Sequence, residues 1–109
     1  MKVIDTKLEN VKIIEMDVFG DHRGFFTENY SKEKFVEAGI DVEFIQDNHS
    51  LSVEPGVLRG MHFQTPDKAQ TKLVRATTGV IYDVLMDMRV GSPTYGKWEG
   101  YILSEHNHR

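Results

Sequence analysis

A chain of 109 residues has room for one domain, and 39% hydrophobic with 28% charged residues is the composition of an ordinary globular protein. The net charge of −4 argues against general nucleic-acid binding, so an anionic ligand would need local cations such as Arg23, Arg59 and Lys72. There is no cysteine, hence no disulfide framework and no thiolate nucleophile. No signal peptide or membrane-length apolar run appears, which makes the cytoplasm the expected location.

In chain order, residues 11–16 (VKIIEM) form a β-rich run. Residues 18–24 read as loop, punctuated by Gly20-Asp21 and Arg23-Gly24, and residues 24–30 (GFFTENY) as a short strand. Ser31 is an N-cap residue, KEKFVEA after it is helix-prone, and Gly39 is a C-terminal stop. This is the one convincing helix, with Phe35 and Val36 as its buried side. Residues 41–52 return to strand character, and Phe44, Gln46, Asn48 and Ser50 share one face by alternation. A polar face of that kind needs partners, because each unpaired buried group costs on the order of 1–3 kcal/mol. Ligand or solvent would supply them.

Residues 56–89 carry most of the chemistry. They read as a strand over 57–64, a short strand over 72–76, a tight connection at Thr77-Thr78-Gly79, and a strand over 80–88. A hairpin closed at Thr78-Gly79 would set Val74 opposite Asp83 and make Lys72 and Asp83 diagonal neighbours, roughly 7–8 Å apart at the backbone. His62, Lys72 and Asp83 would then line one interior, which suits proton transfer beside a stabilised negative charge. Arg59 falls on the strand face opposite His62 unless Gly60 marks a bulge. Gly91-Ser92-Pro93 is a loop, and residues 98–103 begin a further strand. His22 and His49 read as surface residues, and His106 and His108 as a fraying terminus. Short strands, Gly/Pro turns and one small helix predict an all-β sandwich or barrel in a single unit over residues 1–109.

The stretches DHRGFFTE (21–28), FIQDNHSLS (44–52), GVLRGMHFQ (56–64), AQTKLVRATTGVIYDVLMDMR (69–89) and GSPTYGKWEG (91–100) occur in order and cover nearly the whole chain. In this combination the chain resembles the N-terminal part of the dTDP-4-dehydrorhamnose 3,5-epimerases of deoxysugar biosynthesis. The resemblance implies a cupin-type jelly roll and a cofactor-independent epimerisation at C3 and C5 of a dTDP-4-keto-6-deoxyhexose. It implies His62 as the base, Lys72 as the cation at the enolate oxygen, and Asp83 as a supporting charge beside Lys72. Arg23, Glu28, Gln46, Asn48 and Arg59 would bind the nucleotide-sugar. A homodimer that exchanges strands or N-terminal segments is implied as well.

The family's second site histidine, its tyrosine acid and the acid that orients the base fall past the position of Arg109. Tyr30, Tyr82, Tyr95 and Tyr101 do not match that tyrosine. The expectation is therefore a truncated jelly roll, either a fragment of a longer enzyme or a barrel completed by a second chain. No metal and no other cofactor is expected: Gln64 stands two residues after His62, and Lys72 stands where a ligand would be wanted, so a cation would repel a metal. The readings set against the epimerase are a non-catalytic nucleotide-sugar-binding or dimerisation module, a related 3- or 5-epimerase or ketoisomerase, and a metal-dependent cupin.

Overall fold

The computed structural model describes residues 1–109 and is built of six strands and one short helix. The strands form three separate antiparallel hairpins. Strand β1 (Lys2–Asp5) pairs with β2 (Lys12–Glu15), β3 (Val18–Asp21) with β4 (Gly24–Thr27), and β5 (Val80–Met86) with β6 (Trp98–Ser104). The class is all-β, as the sequence predicts. No barrel closes, because no hairpin joins another into a wider sheet.

The first hairpin adds a strand, β1, that the sequence reading passed over. The second corrects it: residues 18–21 are strand, not loop. The Gly/Asp punctuation there is the turn itself. Asp21 pairs with Gly24 across the two-residue connection His22-Arg23, Gly24 has φ +133°, and the Arg23 N–H donates to Asp21 Oδ1 at 2.8 Å. Such an aspartate bonding forward to the backbone is a turn-forming device.

Helix α1 (Lys32–Glu37) starts after Ser31, whose extended backbone fits an N-cap although its hydroxyl makes no capping bond. It ends in a Schellman motif. Gly39, at φ +80°, lets its own N–H reach Val36 O at 2.9 Å and the Ile40 N–H reach Phe35 O at 2.8 Å. Phe35 is the most buried residue in the chain. Its ring meets Tyr30 and Phe44 edge to face, at centroid distances of 5.0 and 6.5 Å. Val36, expected inside, is exposed.

Between α1 and β5 the predicted strands over 41–52, 57–64 and 72–76 do not form. The segment holds a single 3-10 turn, Pro66–Lys68. The predicted hairpin closed at Thr78-Gly79 is absent too; the one partner of β5 is β6, with Asp83 opposite Tyr101. The reason is that a strand needs a neighbour for its N–H and C=O groups, and this segment finds none within residues 1–109. The chain accordingly makes 30 backbone–backbone hydrogen bonds, against roughly 70 for a domain of this size whose sheets are complete. Its radius of gyration is 15.2 Å, against about 13 Å for a compact domain.

The apolar core is small: Leu8, Phe35 and Leu103. Leu8 sits in the turn between β1 and β2, and Leu103 lies on the β6 face shared with Asp83 and Tyr101. The chain end is docked rather than frayed. His108 O accepts from the Met16 N–H, the His108 ring meets Phe25 edge-on at 5.3 Å, and Arg109 Nη2 is 2.8 Å from Glu15 Oε1.

Candidate functional site

The predicted site residues fall into three groups. Gln46, Asn48, Arg59, His62 and Lys72 all stand on the long segment between α1 and β5, and all are exposed. Extended backbone puts alternate residues on one side, and Gln46 Nε2 accordingly donates to Asn48 Oδ1 at 3.0 Å. The strand expected to put Phe44, Gln46, Asn48 and Ser50 on one face does not form, and this one bond relates two of the four. Arg59 turns back along the chain, its Nη2 3.2 Å from Ser52 Oγ. Gly60, at φ +108°, breaks the alternation between Arg59 and His62. The His62 ring folds over Gly60, where a Cβ would stand 3.7 Å from Nδ1.

Lys72 is not the diagonal neighbour of Asp83. Its Nζ lies 3.3 Å from Gln70 Oε1 and makes no ion pair. The predicted juxtaposition needed a strand over 72–76 paired with β5, and no such strand forms; the one partner of β5 is β6. Asp83 is half-buried on β5, on the face of Ile81, Leu85, Tyr101 and Glu99. Tyr101 Oη donates to Glu99 Oε2 at 2.9 Å. Burial pushes the Tyr101 phenol above its ordinary value.

Arg23 and Glu28 flank β4. Arg23 caps the β3–β4 turn with its guanidinium on Asp21, Nη2 to Oδ2 at 2.5 Å. That side-chain bond holds the Asp21 carboxyl below, and the guanidinium above, their usual values. Glu28 pairs with Lys34 of α1 at 2.8 Å, which raises the Lys34 ammonium. An open groove of about 420 Å³ lies between the N-terminus and α1, lined by Met1, Asp17, Phe19, Glu28 and Lys34 among others. It contains Glu28 and none of the other predicted site residues, so it is not where the chemistry gathers. No three His, Asp or Glu side chains converge in a way that could hold a metal ion.

The family model for dTDP-4-dehydrorhamnose 3,5-epimerase matches residues 5–109. The chain belongs to the dTDP-4-dehydrorhamnose 3,5-epimerase family. It is 53% identical to the dTDP-4-dehydrorhamnose 3,5-epimerase of Shigella flexneri over 110 aligned residues, covering 100% of this chain and 60% of that protein. It superposes with a TM-score of 0.94 on the Bacillus anthracis epimerase solved with TDP and PPi bound, at 51% identity, over 98% of this chain and 61% of the other. A second structure, the Legionella pneumophila enzyme in complex with dTDP-4-keto-L-rhamnose, gives a TM-score of 0.91 at 45% identity, over 98% of this chain and 56% of the other. The three hairpins, the helix and the long segment are thus one part of the family's cupin-type jelly roll. The chain spans about 60% of the length of the first curated relatives it matches.

Within this epimerase-family chain the sequence reading missed one polar cluster, at Asp87, Arg89, Ser92 and Thr94. Asp87 is buried, and its carboxylate accepts from Arg89 Nε at 2.9 Å, Ser92 Oγ at 2.5 Å and Thr94 Oγ1 at 2.7 Å. The Arg89 guanidinium and the Ser92 hydroxyl hold that carboxyl far below the usual range. The available signal was Asp87-Met88-Arg89 directly after a strand, followed by short polar residues around Gly91 and Pro93. No helix of the chain is long and apolar enough to cross a membrane.

Proposed function

We propose that this chain carries the substrate-binding and proton-abstracting part of a cofactor-independent 3,5-epimerase acting on a dTDP-4-keto-6-deoxyhexose in the cytoplasm. The observation that carries the reading is the family match over residues 5–109. It spans every motif that bears the proposed site residues.

The C4 ketone acidifies the C–H bonds at C3 and C5, so the substrate is its own electron sink. His62 takes the proton, a role that suits an imidazole near neutral pH. Its side chain is exposed. Lys72 Nζ steadies the enolate oxygen by aiming positive charge where negative charge develops. Asp83 supports Lys72. Arg59 and Arg23 meet the diphosphate or base, and Glu28, Gln46 and Asn48 hold the rest of the nucleotide-sugar. The proton returned to the opposite face comes from the family's tyrosine, in the length of the family beyond Arg109's position.

The reading requires partner strands for residues 41–79 from outside these 109 residues. They would also bring Lys72 toward Asp83. A homodimer with exchanged strands or N-terminal segments fits the unpaired edges of three separate hairpins. The second reading, a nucleotide-sugar-binding module without catalysis, is favoured by one observation: among the proposed site residues only Gln46 and Asn48 hydrogen-bond each other within the chain.

Deuterium wash-in separates the two. The protein is mixed with dTDP-4-keto-6-deoxyglucose in D2O and followed by mass and proton NMR, with His62→Ala as control. The epimerase reading expects exchange at C3, C5 or both that disappears in His62→Ala. Label at one centre alone would assign a 3- or 5-epimerase. Binding without any exchange would sink catalysis by this chain and leave the binding module.

A further inference from the structure

The N-terminal hairpin is attached to the rest of the chain by polar bonds. Neither β1 nor β2 packs against β5 or β6, and of residues 1–17 only Leu8 is fully buried. One joint is at the chain end, where the Met16 N–H donates to His108 O at 3.2 Å and Arg109 Nη2 lies 2.8 Å from Glu15 Oε1; the other is the turn over residues 6–11. Thr6 Oγ1 braces it from within, donating to Val11 O at 3.0 Å. Three bonds tie it outward. The Lys7 N–H donates to Glu99 Oε2 at 3.3 Å, the Glu9 N–H donates to Thr94 Oγ1 at 3.0 Å, and Arg89 Nη2 donates to Glu9 O at 2.7 Å.

Asp87 stands behind two of these bonds without touching the hairpin itself. An ionised carboxylate only accepts, so the one proton of the Thr94 hydroxyl goes to Asp87 Oδ2 at 2.7 Å. The oxygen of Thr94 is then left as an acceptor, which is what the Glu9 N–H needs. The same carboxylate fixes the Arg89 guanidinium through Nε and Nη2, at 2.9 and 2.8 Å, and so aims Nη2 at Glu9 O. The β5–β6 connection does not depend on the side chains that reach Glu9. Its backbone closes by itself, with Asp87 N to Lys97 O at 2.9 Å, Gly96 N to Asp87 O at 2.7 Å and Lys97 N to Thr94 O at 2.9 Å.

We propose that Asp87, Arg89 and Thr94 form a latch that holds the N-terminal hairpin to the β5–β6 connection, and that the hairpin opens as a unit when the latch is lost. The rival account is that Leu8 and the chain-end bonds of Glu15 and Met16 hold the hairpin, with the cluster merely bracing its own loop. Thr94→Val removes the acceptor for the Glu9 N–H and keeps the side-chain shape. Thr94→Ser keeps the hydroxyl. Arg89→Lys withdraws the fork that reaches Glu9 O.

Hydrogen exchange on the full chain, read by mass spectrometry, tests the latch. Thr94→Val is expected to speed exchange of the β1 and β2 amides about tenfold, the scale of about one net hydrogen bond in a local opening, and to leave β5 and β6 unchanged. Thr94→Ser is expected to match the parent. Unchanged β1–β2 exchange in Thr94→Val and Arg89→Lys alike would overturn the latch in favour of Leu8 and the chain-end bonds. Equal acceleration in both hairpins, or a Thr94→Ser chain behaving like Thr94→Val, would overturn it as well. Should Thr94→Val fail to fold, Arg89→Lys gives the same reading through the Glu9 carbonyl.

Discussion

At the residue scale, Asp87 and His62 are opposites. Asp87 is buried and saturated with donors, its side chain only 3% exposed. His62 is exposed on a segment with no neighbouring strand. A carboxylate with a depressed pKa contributes stability that is fully present above the unfolded value, about 3.9, and is lost as pH falls through the lower folded value. Stability is therefore expected to be flat from pH 8 to pH 5 as far as Asp87 is concerned, and to fall below pH 4. Thermal melts across that range check the slope. In Asp87→Asn the acid-side fall is expected to be shallower, with a lower Tm at neutral pH, because the amide turns a donor toward groups that already donate. An unchanged slope would mean that other carboxylates carry the acid sensitivity. The proposal of His62 as base rests only on the motif around it, since a lone histidine has no local signature of catalysis.

At the element scale, the helix and its stop were readable because both are local. Ser31, the helix-prone run and Gly39 lie within nine consecutive positions, and the motif they form needs nothing from elsewhere. Gly39 at φ +80° is the point of failure. A Cβ there meets no atom within 4 Å, so the cost of Gly39→Ala is conformational alone, about 1 kcal/mol after the gain from a stiffer unfolded chain. A lower urea midpoint at unchanged slope is the expected result, and no shift would show that the Schellman bonds are not retained in solution. The β3–β4 turn was misread for a related reason. Gly and Asp mark a break in regular structure equally well when the break is a loop and when it is a two-residue hairpin connection.

At the scale of the whole molecule, the exposed apolar side chains decide the behaviour. Phe19 and Phe26 face each other across the β3–β4 hairpin and are 65% and 69% exposed. Isolated two-stranded hairpins are at best marginally stable in water, and open sheet edges invite pairing. The chain is expected to self-associate as concentration rises in sedimentation velocity runs, and Phe26→Glu is expected to weaken that association at least several-fold. A monomer at every concentration would refute the dimer. The proposed site belongs to this scale too: Lys72 and Asp83 lie 11 positions apart in sequence, yet their approach needs a strand partner that residues 1–109 do not supply.

What is local or written in a motif could be read from the residues alone: the all-β class, the helix and its stop, β2, β4, β5 and β6, and the family. Tertiary structure alone decided pairing. Strand partners are chosen by free N–H and C=O edges that any extended segment offers alike, so no residue pattern could say that β5 pairs with β6 while residues 72–76 pair with nothing in the chain. The same holds for the Asp87 latch. It joins residues 9 and 94 across the chain, and its polarity is set by a carboxylate that touches only one of them.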